Sequence, residues 1–267
     1  MSLFGSQIGT YSVRDLENFI LQNYGKQVSW DGKRKNLLKF GNNPDCGTSF
    51  EDVWTTGGTE DLPDDNLITH VASTNAGDTQ VCVVEGHTID ADGNLTFVTQ
   101  QVTLAGQTKT ALTTPLARAV NLYNNDSTDF AGVVYVARDV TFTSGVPASD
   151  IHITVPVGSN GAQKCMTSIS QYDFWALTSL TVHVRRASGS GAAVDFSVQF
   201  RLKGKVWRDL LVPVSLTRDG GTVQLVASYP IVMPPNTDIR VRAISSATGT
   251  SVGASIGGTL LIDKDRL

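Results

Sequence analysis

The run Val194-Asp-Phe196-Ser-Val198-Gln-Phe200-Arg-Leu202 alternates apolar and polar side chains without a miss. A period of two is the geometry of a half-buried β-strand, and an α-helix cannot keep such a pattern on one face. Leu180, Val182 and Val184 repeat it, as do Ile239, Val241 and Ala243. From Leu67 onward, short runs of this kind recur about every ten residues, too close together for crossover helices between them. Thr and Val, 29 of each, outnumber every other type, whereas there are 4 Glu, so the usual helix-surface residues are scarce. The expected fold is mainly β.

Turn chemistry subdivides it. Asp92-Gly93-Asn94 between two strand runs predicts a tight hairpin, and Ala105-Gly106-Gln107 a second turn. Val157-Gly-Ser-Asn-Gly161 reads as a linker. Two antiparallel β-sandwich, jelly-roll-like domains are therefore expected, over residues 67–157 and 158–267. Residues 1–66 read differently. Ser12 sits at an N-cap position, Val13, Leu16, Phe19 and Ile20 form one apolar stripe, and Gly25 can close the helix. A basic cluster, Lys33-Arg34-Lys35, follows Trp30, and residues 41–66 are acidic and rich in turn residues. This segment predicts a helix and an extended arm without a core of its own, packed on something else.

The net charge of −4 divides unevenly, as +3 over residues 1–39, −12 over 40–158 and +5 over 159–267. If the C-terminal strands are neighbours, His183, Arg185, Arg201, Lys203, Arg240 and Arg242 fall on one outer face and make it basic. No apolar run approaches the ~20 residues of a membrane helix, and the opening residues lack the pattern of a secretory signal. Three widely spaced cysteines, Cys46, Cys82 and Cys165, predict buried thiols in place of a disulfide framework.

Catalytic and ligand patterns are weak. Asp90-Ala-Asp92-Gly93-Asn94 opens like a calcium loop, but Gln101 stands where the bidentate Glu is needed, so a plain turn is expected. His70, His87, His152 and His183 have no partner at metal-ligand spacing. Nucleophile elbow, phosphate loop and paired Glu are all missing from the sequence, so neither an enzyme nor a cofactor is expected. Trp30, Trp54, Trp175 and Trp207 could form a sugar-stacking platform, the basis of an alternative reading as a carbohydrate-binding module for host adhesion.

Several segments together resemble the decoration, or cement, proteins of tailed-bacteriophage heads. They are Val83-Val-Glu-Gly-His-Thr-Ile-Asp-Ala-Asp-Gly-Asn-Leu-Thr-Phe-Val-Thr-Gln-Gln-Val-Thr-Leu-Ala-Gly106, Leu116-Ala-Arg-Ala-Val-Asn-Leu-Tyr-Asn124 and Ala131-Gly-Val-Val-Tyr-Val136. Thr237-Asp-Ile-Arg-Val-Arg-Ala243 and Gly258-Thr-Leu-Leu-Ile-Asp263 complete the set. The resemblance implies a virion structural protein on the capsid surface, made in the bacterial cytoplasm. It would act as a homotrimer or another homo-oligomer bound to the phage major capsid protein, without nucleic acid or membrane. A neck, tail or head-fibre component is the alternative within the same setting. Contact with partners is expected through Leu16, Phe19, Ile20, Trp30, Lys33, Arg34 and Lys35 of the arm. A second expected seam comprises Tyr172, Phe174 and Trp175.

Overall fold

The structure, a computed structural model, describes residues 28–29, 35–186, 192–210, 213–216 and 220–263. Strands β1 (Val28–Ser29), β2 (Lys35–Cys46) and β3 (Glu51–Asp52) come first. Next are β4 (Ile68–Ser73), β5 (Val81–Ile89), β6 (Leu95–Thr103), β7 (Thr110–Leu116), β8 (Arg118–Asn124) and β9 (Val134–Arg138). The short β10 (Phe142–Thr143) and β11 (Val146–Pro147) precede β12 (Ile151–Val155). The rest are β13 (Met166–Ser168), β14 (Asp173–Arg186), β15 (Val194–Leu202), β16 (Arg208–Asp209), β17 (Val214–Leu216), β18 (Gly220–Met233), β19 (Thr237–Ser245) and β20 (Thr250–Asp263). Among the described residues there is no helix, and the strand pairings are antiparallel. The helix expected over 12–25 lies outside the described residues.

Two hydrophobic cores organise these strands. The first fills the space between the four-stranded sheet β12-β9-β4-β7 and the three-stranded sheet β6-β5-β8. Ile68, Leu116, Leu122, Phe130 and Ile153 are fully buried there. The second lies between the five-stranded sheet β1-β20-β14-β18, extended by β2, and the sheet β13-β19-β15-β16, which also carries β3 and β17. Alternation along β15 does what its sequence predicts for Phe196 and Val198, which are buried in this core. Phe200, near the strand end, is only half-buried against it.

The Asp92-Gly93 turn forms as expected: Asp90 Oδ1 accepts from the backbone N–H groups of Asp92 and Asn94, and Gly93 takes φ +81°. The hairpin tip is then tied to the second core. Asn236 Oδ1 accepts from Leu95 N at 2.8 Å, and Lys203 Nζ donates to Gly93 O at 2.7 Å.

The segment expected as an arm, in its described part, packs on this same chain. β2 runs antiparallel to β20 from Lys35 opposite Leu260 to Cys46 opposite Thr250. Gly41 makes that packing possible, since a Cβ there would collide with Val53 O and Cys165 N, both backbone atoms. Cys46 and Val53 belong to the second core, and Ala162 to the first.

Candidate functional site

Between the two cores runs a seam of buried charge. Arg118, at the start of β8, is 0% exposed, and Asp238 of β19 is also 0% exposed. The guanidinium grips the carboxylate with two parallel bonds, Nε to Oδ1 at 2.9 Å and Nη2 to Oδ2 at 3.0 Å. Bidentate geometry of this kind is among the strongest that side chains make. Ser168 donates to Asp238 Oδ1 at 2.6 Å and Arg201 to Oδ2 at 3.0 Å, while Arg118 also donates to Pro63 O and Ala117 O. Burial alone would raise the Asp238 pKa. The charge and hydrogen bonds of Arg118, with Ser168 and Arg201, outweigh it and hold the carboxyl below its usual range. Every member has partners, the condition under which a buried ion pair is tolerated.

A second cluster adjoins it. Lys164 Nζ, buried, donates to Glu60 at 2.6 Å, to Ala119 O at 2.6 Å and to His152 O at 2.9 Å. Glu60 in turn faces His152 Nδ1 at 3.3 Å. Asp52 accepts from Glu60 N at 2.7 Å and faces Arg240 and Arg242, each at 3.5 Å. Desolvation raises the Asp52 pKa to about 6 despite those two guanidiniums. On the outer side, Trp207 is stacked by Arg240 at 3.9 Å and by Arg201 at 4.7 Å.

A cleft of about 280 Å³ opens beside this seam. One wall is the face of the β5–β6 hairpin turned away from its own core, where Glu85 stands opposite Thr99 and His87 opposite Phe97. Leu37 and Lys39 of β2, with Thr167, Ser170 and Asp173, form the other wall. His87 is 2% exposed and its ring meets Phe97 edge-on at 5.3 Å. Burial lowers its pKa to about 3, so the imidazole is neutral, and its Nδ1 has no hydrogen-bond partner. Lys39 donates to Val120 O at 3.2 Å, and desolvation lowers its pKa to about 8 despite the nearby Glu85. Among the described residues, no group of three His, Cys, Asp or Glu is placed to hold a metal ion.

The residues singled out from sequence fare differently. Leu16, Phe19, Ile20, Trp30, Lys33 and Arg34 lie outside the described residues, and Lys35 begins β2. Trp175, 0% exposed, is part of the second core. Phe174, 1% exposed, sits in a small cluster with Ala176, Val232 and Leu261 on the opposite face of the same sheet. Both rings lie on β14, an interior strand of its sheet. Tyr172 is exposed. A tryptophan platform does not exist among the described residues. Trp54 and Trp175 are buried, and Trp207 has its ring engaged by two guanidiniums.

The basic outer face is also absent as one surface. His183 and Arg185 belong to β14, in the five-stranded sheet, while Arg201, Arg240 and Arg242 belong to β15 and β19, where Arg201 faces Asp238 and the other two face Asp52. No sequence motif marks the seam. The signal available was Arg118 set among apolar neighbours in Leu116-Ala-Arg-Ala-Val120, a charge where the strand pattern asks for none.

Fold and seam together define a class: an antiparallel β protein with two cores joined through buried ion pairs. No protein-family model matches the chain, and no curated protein matches it by sequence. Among solved structures, that of infectious bursal disease virus Gx strain aligns at 12% identity and a TM-score of 0.23. The alignment covers 91% of this chain and 76% of that chain. The Gt strain structure aligns at 13% identity and a TM-score of 0.22, covering 94% of this chain and 78% of that chain. Alignments this loose establish neither a common fold nor a common role, and neither protein is a tailed-phage decoration protein.

Proposed function

We propose that this chain is a virion structural protein of a tailed bacteriophage, a capsid cement protein that binds between capsomers of the major capsid protein and stabilises the head. It acts on the capsid surface as a homotrimer or another homo-oligomer, with neither catalysis nor a cofactor. Its two β-sandwich units serve as one rigid block. The observation that carries the reading is the edge presented by β2. This 12-residue strand pairs only with β20 among the described residues. Leu38 and Phe40 stand on it 64% and 54% exposed. A long strand edge flanked by exposed apolar side chains is a template for pairing with another chain. The buried seam supports it, because a block that must bridge neighbours has to transmit force without parting between its cores. The resemblance of residues 83–106 and 116–124 to phage head decoration proteins points the same way.

The test is to count this chain against the major capsid protein in purified particles by quantitative mass spectrometry. Copies in proportion to the capsomers support a cement protein. A handful per particle would make it a neck, tail or head-fibre component, and its absence from particles would overturn the virion role.

A further inference from the structure

We infer that the cleft between the β5–β6 hairpin and β2 is a binding site for a neutral polyhydroxylated ring, a single hexose unit. The charge pattern selects the ligand class. Glu85 on the hairpin wall disfavours phosphate or carboxylate ligands, and Lys39 on the β2 wall opposes a metal cation. A purely apolar ligand would strip water from both charges and return nothing. A sugar offers what they need, since each hydroxyl both donates and accepts. Its hydroxyls can donate to Glu85 and accept from Lys39, with Thr99, Thr167 and Ser170 able to do either.

His87 is the second, independent observation. Its ring is 2% exposed and lines the cleft, and its Nδ1 is a buried polar atom without a partner. A buried nitrogen left in that state costs stability unless a ligand or water satisfies it. A ligand hydroxyl can do so. Apolar contact for the C–H face of the ring comes from Phe97, 37% exposed, and from Leu37 and Leu260, both half-buried. The volume of about 280 Å³ is just under the lower end of small-molecule pockets, about 300 Å³, and so admits one ring and not a chain of them. These groups are distinct from the tryptophans that the sequence brings to mind for sugar binding. Capture of a sugar here needs neither a capsid nor an oligomer.

The probes are D-glucose, D-galactose, D-mannose and N-acetyl-D-glucosamine, each titrated to about 50 mM against the full chain. Saturation-transfer NMR detects binding, and amide shift mapping locates it. At least one sugar is expected to saturate with a dissociation constant of about 1 mM, the range of a ligand this small. Its shifts should centre on residues 85–87, 97–99 and 167–170. Glu85→Gln should weaken that sugar about tenfold or more, through loss of a charge-assisted acceptor. Phe97→Ala, at an exposed position that folding tolerates, should weaken it several-fold with an unchanged melting temperature. The inference is overturned if none of the four sugars saturates, if the shifts fall elsewhere, or if both variants bind like the wild type.

Discussion

Replacing Arg118 by Met removes one partner of the seam while keeping most of the side-chain volume. Asp238, 0% exposed, would keep Arg201 and Ser168 but lose its two bonds of 2.9 and 3.0 Å to the guanidinium. Pro63 O and Ala117 O would lose a donor as well. Breaking a buried pair from one side costs about 3–5 kcal/mol, chiefly because the surviving charge stays buried. The residual contacts of Asp238 argue for the lower half of that range. With a urea m-value of about 3 kcal/mol/M, the unfolding midpoint should fall by about 1–1.3 M. Trp54 and Trp207 stand close to the seam charges Lys164 and Arg240, so their fluorescence reports the transition. Arg138→Met, which breaks pairs with the exposed Asp61 and Asp150, is the control and should cost under about 1 kcal/mol. Equal losses in the two variants would refute the view that the seam joins the cores. Because the folded pKa of Asp238 lies below its unfolded value, its contribution is present above about pH 4 and fades as pH falls through the folded pKa. In Arg118→Met this acid-side dependence should weaken.

Three further outcomes are expected. Lys39→Met should stabilise the chain at pH 7 by about 1–3 kcal/mol, because the lysine pKa is about 8 when folded against an ordinary 10.5. The native state holds fewer protons between those values, so wild-type stability rises with pH across that window and the gap between the two proteins should close; urea curves at pH 7 and 10.5 measure it. Cys46, Cys82 and Cys165 are buried free thiols, with burial pushing Cys46 up to about 11 and Cys82 up to about 12. A thiol-reactive disulfide reagent should therefore label none of them in the native state and all of them in urea. Phe196→Ala should cost about 3–5 kcal/mol and Phe200→Ala distinctly less, following their difference in burial, as calorimetric unfolding can record.

Period-two patterning made the strands readable wherever one face is wet. The alternating run Val194–Leu202 is the strand its pattern marks, and the Asp92-Gly93 hairpin follows from its turn residues. Strands that are buried on both faces or irregular carry no such mark. Tyr172-Asp-Phe-Trp175 looks like a loop with aromatics, yet Asp173 starts a strand of 14 residues whose two faces are both covered at that end, so no alternation marks it. Lys35–Cys46 hides behind Asn42, Asn43 and Pro44, residues an edge strand tolerates and a central one does not. The seam is harder still. Arg118 and Asp238 stand 120 residues apart, and only the fold brings them together. The same holds for the cleft, whose walls come from β2, the β5–β6 hairpin and the segment around β13.

The register of β2 on β20 also sets a schedule for synthesis. Residues 68–162 that build the first core lie together in the chain and can collapse as soon as they leave the ribosome. Lys35 must wait for Leu260. At about 5–20 residues per second that is roughly 10–45 s during which Leu37, Leu38 and Phe40 have no sheet to join. Non-local pairing of this kind slows folding and leaves an apolar strand exposed to neighbouring nascent chains. Yield in a recombinant host should therefore respond to chaperone supply and growth temperature more than to the stability of the finished protein. A circular permutant that places β2 directly after β20 should fold faster than the natural order of the same strands.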